Sequence, residues 1–143
     1  NSALIQKLQQ RGRLKGMKGL IANSNVKECM SLLKQGKIIL YGPDQDYRNK
    51  SSVVSTFFSQ NCLTTIAPYR IKKITGCNLM YVDSVRKEDT YLFKFEDVNH
   101  YAKADQIFAD MINKKIEQSI MQAPEQYLWH HRRFKSQNPE IYD

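Results

Sequence analysis

Four stretches of the sequence hold residue types at spacings that can do chemistry. Gly42-Pro-Asp-Gln-Asp-Tyr47 places two carboxylates and an amide in a turn whose backbone is fixed by Pro43. There Asp44, Gln45 and Asp46 can orient a polar substrate, or simply close an Asx-turn. Calcium does not fit, because an EF-hand loop begun at Asp44 requires Gly where Asn49 stands and Glu where Ser55 stands. The second stretch runs from Pro124 to Lys135. Arg132, Arg133 and Lys135 offer donors suited to phosphate, and Tyr127, Trp129 and Phe134 can anchor the segment or lie at a membrane interface. The plainer alternative is an aromatic core contact with a solvated basic edge. His130 and His131 are adjacent and cannot share one helical face, so a paired metal site is not expected.

The third stretch is cationic. Residues 1–27 contain six basic side chains, among them Arg11, Arg13, Lys15 and Lys18, and no acid. Such a run is usually a solvated surface. It can also hold the phosphates of a nucleic acid, a lipid head group or an acidic carrier protein. The remaining 116 residues carry 16 basic against 14 acidic groups, a net of +2 within the total of +8. The fourth stretch, His100 with Asp105 five residues on, has a spacing at which a carboxylate can orient a His general base. Its place between a hairpin and a long helix fits Asp105 better as an N-cap, with His100 on the surface.

These residues must be positioned by an alternating series of elements. The pattern predicts a helix over 2–10 and a capping box formed by Asn25 and Glu28. An apolar helical stripe of Val26, Cys29, Met30 and Leu33 follows, ended by Gly36. Lys37-Ile-Ile-Leu-Tyr-Gly42 reads as a strand buried on both faces, followed by a long polar loop over 43–60. An amphipathic helix through Leu63–Ile74, disturbed or started by Pro68, precedes a hairpin with strands Leu79–Val85 and Tyr91–Phe95. Phe108, Met111, Ile112, Ile116 and Ile120 mark a long helix. The expected class is α/β: one domain over 1–143, a mixed sheet with covering helices. At 143 residues and 41% apolar composition the chain can bury a core. No apolar run approaches the roughly 18 residues that would span a bilayer. Three widely spaced cysteines suggest reduced thiols in a cytoplasmic setting.

Leu33-Lys-Gln-Gly36, the Gly42–Tyr47 block, Ala123-Pro-Glu-Gln-Tyr-Leu-Trp129 and His131-Arg-Arg-Phe-Lys135, taken together and in order, resemble the bacterial lipid A biosynthesis acyltransferases. Arg11-Gly-Arg13 also sits where that family has a similar segment. The resemblance implies a fold like that of the glycerol-3-phosphate acyltransferases, of which this chain is the C-terminal portion. It implies transfer of a fatty acyl group from acyl carrier protein to a lipid A precursor at the cytoplasmic face of the bacterial inner membrane, an anionic surface, with no cofactor. The family's His-x-x-x-x-Asp/Glu dyad precedes the Pro-Asp-Gln block, whereas His100 and Asp105 follow it. No catalytic residue is therefore assigned, and the isolated chain is expected to be inactive. By the same resemblance Asp44, Gln45 and Asp46 shape the acceptor side, and Arg11 and Arg13 contact anionic groups. Arg132 and Arg133 match the family's terminal basic pair, and Asn23 stands where relatives often carry Arg. The competing expectation is a basic nucleic-acid-binding module, but the sequence has no RNP-type strand, helix-turn-helix pattern or zinc spacing.

Overall fold

The computed structural model describes residues 3–22 and 24–143; Ser2, the expected helix start, and Asn23 lie outside the described residues. The chain divides into two compact units, Asn1–Ile39 and Leu40–Asp143.

The first unit contains α1 (Ala3–Leu14) and α2 (Val26–Lys34). Both ends of α2 form as the sequence predicts. The Glu28 amide donates to Asn25 Oδ1 at 3.2 Å, and Asn25 Nδ2 donates back to the Glu28 carboxylate. The first bond satisfies a backbone donor that the opening turn leaves unpaired, and the second ties the two side chains together. At the other end, Gly36 takes φ +76°, Lys37 N–H donates to Leu32 O and Gly36 N–H to Leu33 O, a Schellman closure.

The second unit contains β1 (Ser52–Phe57), β2 (Gln60–Thr65), α3 (Ala67–Thr75), β3 (Met80–Lys87), β4 (Thr90–Asp97) and α4 (Asp105–Gln122). The α/β class holds, but in place of one mixed sheet there are two antiparallel hairpins, β1–β2 and β3–β4, and no parallel pair among the described residues. Three predicted elements differ accordingly. The expected strand at 37–42 is irregular, with Ile38 96% exposed and Leu40 70% exposed. Its apolar run has no neighbouring strand to bond, and unpaired backbone amides do not hold an extended ladder. The expected long loop ends at residue 51, because Ser52-Val-Val-Ser-Thr-Phe57 pairs with β2 in register Phe57↔Gln60. The predicted helix through Leu63–Ile74 likewise gives its first residues to β2, and Pro68 starts α3 in its first turn. Pro at that position loses no hydrogen bond.

The β3–β4 hairpin and α4 form where periodicity places them. Phe108, Met111, Ile112, Ile116 and Ile120 face the core, packed with Phe57, Cys62, Ile66, Tyr69 and Val98. Each such fully buried side chain contributes roughly 1.5–3 kcal/mol. Cys62, at 0% exposure, and Cys77 are free thiols. Among the described residues no helix is long and apolar enough to cross a membrane.

Candidate functional site

The β1–β2 hairpin turns through Phe58 and Ser59, at φ +47° and +63°. Two left-handed residues in a two-residue connection are the turn that best matches strand twist, and it normally uses Asn and Gly. Phe58 occupies that strained position because its surroundings hold it there. Its amide donates to Glu117 Oε1 at 2.7 Å, and its ring packs edge-on against Phe57 at 4.9 Å. The ring also lies 6.2 Å from Trp129.

Trp129 belongs to the irregular segment that leaves α4 at Pro124. The Trp129 indole N–H donates to Pro124 O at 2.7 Å, and Tyr127 packs edge-on against the indole at 5.0 Å. Farther along, Phe134 approaches Phe57 at 6.0 Å. Its amide donates to the Tyr142 hydroxyl at 2.8 Å. The rings of Phe57, Phe58, Tyr127, Trp129, Phe134 and Tyr142 thereby wall an open cleft of about 490 Å³, to which His131 and Arg133 add the charged and titratable groups.

Arg133 is only 2% exposed. Its guanidinium donates to Leu63 O, to Thr64 Oγ1 at 3.0 Å and to Asn113 Oδ1 at 3.2 Å, and lies 5.5 Å from the centre of the Phe57 ring. None of the ion pairs among the described residues includes Arg133. A backbone carbonyl, a hydroxyl, an amide oxygen and a ring face offset the desolvation of this cation in place of a carboxylate. Asn113, itself fully buried, completes the network by donating to Thr56 O at 2.9 Å, Thr64 Oγ1 at 2.8 Å and Ser55 Oγ at 3.1 Å. Asn113 stands three residues before Ile116 and seven before Ile120, a polar residue on the inward stripe of α4 that a count of apolar positions passes over. Phe57 and Phe58 were likewise concealed in an expected loop, although two adjacent aromatics in a polar stretch were a signal.

The structure brings the Pro-Asp-Gln block to this C-terminal segment. Asp46, 9% exposed, accepts from the Ser136 hydroxyl through Oδ2, and its backbone amide donates to His131 Nε2 at 3.3 Å. Arg48 donates to Ser136 Oγ and to Lys135 O, so the loop is clasped at two successive residues of the segment. The amide donation fixes His131 as the neutral tautomer with its proton on Nδ1. Burial lowers its pKa below the ordinary 6.5, with Lys135 and Arg133 acting in the same direction and Asp44 and Asp46 opposing. Asp44, half-buried, also raises the phenols of Tyr47 and Tyr127, where burial is the larger cause.

The other sequence-predicted site residues are placed differently. Gln45 is exposed, and Arg132, also exposed, lies 5.5 Å over the Tyr142 ring. Arg11 and Arg13 occupy the last turn of α1 in the first unit, both exposed. The His100 ring lies 4.0 Å from that of Tyr101, tilted by 41°, whereas Asp105 pairs with Arg70 at 2.9 Å, so the two form no dyad. Asp105 is the first residue of α4 and not its N-cap, which is Ala104. Among the described residues no three His, Cys, Asp or Glu side chains cluster as a metal site.

Residues 1–136 match the family model described as bacterial lipid A biosynthesis acyltransferase. The chain is 38% identical over 140 residues to the lipid A biosynthesis palmitoleoyltransferase of Escherichia coli K12, covering 95% of this chain and 46% of that protein. It is 33% identical over 141 residues to the lauroyltransferase of the same organism, with the same two coverages. A lipid A biosynthesis acyltransferase of Haemophilus influenzae is 27% identical over 157 residues, covering 100% of this chain and 49% of that protein. The chain therefore spans about half the length of the curated relatives it matches. With a family model matched over residues 1–136, the chain belongs to the bacterial lipid A biosynthesis acyltransferase family.

Proposed function

We propose that this chain takes part in moving a fatty acyl group from acyl carrier protein to a hydroxyl of a lipid A precursor, at the cytoplasmic face of the bacterial inner membrane. The observation that carries the proposal is a likeness running through 95% of the chain to two transferases of different acyl groups. In this reading the chain is the C-terminal portion of the enzyme, in a fold like that of the glycerol-3-phosphate acyltransferases. A His with a nearby carboxylate, both outside residues 1–143, removes the acceptor hydroxyl's proton. The oxygen then attacks the thioester carbonyl, and the carrier's thiol leaves with a proton. The Pro-Asp-Gln block, clasped through Asp46, bounds the acceptor side. Arg11 and Arg13 meet the anionic groups of lipid or carrier, and Arg132 and Arg133 divide between substrate binding and the frame that supports it.

The test is a chimera in which this chain replaces the matching portion of the E. coli palmitoleoyltransferase. Acyl transfer to a lipid A precursor is expected, and Asp44→Asn or Arg13→Ala is expected to lower kcat/KM at least about tenfold, a loss of some 1.4 kcal/mol of transition-state stabilisation. An inactive but folded chimera would count against the reading, and unchanged transfer in both variants would remove the residue assignments. The 143-residue chain alone is expected to give no turnover. Turnover abolished by His100→Ala would show that the base lies within it.

A further inference from the structure

We infer that the outer face and free edge of the β3–β4 hairpin are a docking surface for the portion of a family-length enzyme that lies outside residues 1–143. The identity of that occupant rests on the reading above, in which this chain is the C-terminal portion; the openness of the surface does not. On one face, Tyr81, Asp83 and Glu96 bond to Ser119, Gln122 and Lys115 of α4. Side chains alternate along a strand, so the register Val82↔Phe95 and Ser84↔Phe93 gathers Met80, Val82, Tyr91, Phe93 and Phe95 on the other face. All five are exposed, and the Tyr91 and Phe93 rings lie 6.4 Å apart. A sheet with a helix on one face and bare apolar side chains on the other lacks one of its covering layers.

The backbone narrows the occupant. Arg86 N–H donates to Gln126 Oε1 at 2.9 Å, and Gln126 Nε2 donates to Arg86 O at 2.9 Å. Arg86 therefore turns its backbone groups away from β4, and its pair Tyr91 turns its own away from β3. Phe93 and Phe95 follow Tyr91 by the same alternation. Gln126 closes the outer edge of β3 at one residue; no described strand lies beside β4, whose eight pairs run without a bulge or a proline. Such an edge is a template for another strand. A bilayer takes up rings but offers the edge no hydrogen-bond partner. A protein segment offers both, and more than half of the E. coli palmitoleoyltransferase lies beyond the part this chain matches. In the chain alone the face stays open to any apolar surface, vesicles included.

The experiment follows hydrogen exchange, residue by residue, in the 143-residue chain and in the palmitoleoyltransferase chimera. The amides of Tyr91, Phe93 and Phe95 are expected to exchange at least about tenfold more slowly in the chimera. Phe93→Ser with Phe95→Ser should leave the thermal midpoint of the chain alone nearly unchanged, because those rings meet solvent there. The same pair should lower the chimera's midpoint by about 5 °C or more. Should the chimera not fold, the two portions are expressed as separate chains. Co-purification lost with the double variant is then expected, and co-purification that is absent, or that survives the variant, overturns the proposal.

Equal exchange in chain and chimera, with the double variant harmless in both, would also overturn it. Protection that grows with the concentration of the chain alone, and no further in the chimera, would give the surface to a second copy. Protection of the chimera that needs added vesicles would give it to lipid, and either result rejects the proposal. Neither readout needs turnover. A protected edge in an inactive chimera would uphold the surface and reject the transfer reading, and an active chimera with an unprotected edge would do the reverse.

Discussion

At the scale of single residues, the site depends on groups whose surroundings decide their state. Arg133 illustrates this: its place beside Arg132 suggested a paired basic patch, yet one of the two is exposed on a ring and the other is buried in a polar network. An Arg→Lys change at 133 would not preserve that network, since an ammonium cannot span three acceptors with a planar fork. His131 carries the pH dependence. Its Nε2 must stay unprotonated to accept from Asp46 N–H, and burial depresses its pKa below the ordinary 6.5. With the folded pKa below the unfolded one, the unfolded chain binds more protons as pH falls past 6.5. The stabilisation is therefore complete above about pH 6.5 and is lost as pH falls through that value toward the folded pKa. Urea midpoints measured from pH 8 to pH 5 should decline over that window, and His131→Gln should flatten the decline. An unchanged slope in the variant would place the titration elsewhere.

At the scale of elements, the β1–β2 turn stores strain that function can account for. Phe58 needs its left-handed backbone to put its ring in the cleft wall, but Ser59, at φ +63°, does not line the cleft. Ser59→Gly should raise stability by roughly 0.5–1 kcal/mol, the cost of a non-glycine residue in that region less glycine's extra chain entropy. Thermal unfolding checks this, and a lower midpoint would mean that the Ser59 side chain makes compensating contacts. The same hairpin shows why only part of the fold was legible. Capping residues act on their own neighbours, so Asn25, Glu28 and Gly36 were readable, as was the period of α4. Strands depend on partners that no local pattern names. Ser52–Phe57, polar and β-branched, forms β1 because β2 lies beside it, and Ile38–Tyr41 stays irregular because no strand does. For the site, the motif segments were visible as blocks of chemistry. Their junction through Asp46, Ser136 and His131 joins residues 85 to 90 apart in sequence and was invisible for the same reason.

At the scale of the whole molecule, positive charge is concentrated in residues 1–27, and the second unit presents an apolar sheet face. The acid-free residues 1–27 supply the excess positive charge, with Arg11 and Arg13 exposed. In the second unit, β3–β4 turns Tyr81, Asp83 and Glu96 toward α4 through Ser119, Gln122 and Lys115. The strand period then puts Val82, Phe93 and Phe95 on the opposite face, where Phe93 and Phe95 are 56% and 62% exposed. An uncovered apolar face of this kind marks a contact surface, and a cationic segment adds attraction to anionic lipid. If the chain acts at a bilayer, as proposed, the two contributions should separate with salt. Sedimentation with vesicles rich in phosphatidylglycerol should be strong at low ionic strength and fall by 0.5 M salt, where screening reaches only about 4 Å. Arg11→Ala with Arg13→Ala should weaken the low-salt binding about tenfold or more, since each basic residue near such a surface is worth about 1 kcal/mol. The binding left at high salt should be removed by Phe93→Ser with Phe95→Ser, and untouched by the arginine pair. Equal binding to neutral and anionic vesicles would remove the electrostatic role of residues 1–27, and a shift of oligonucleotides without vesicle binding would favour nucleic acid as the anionic partner.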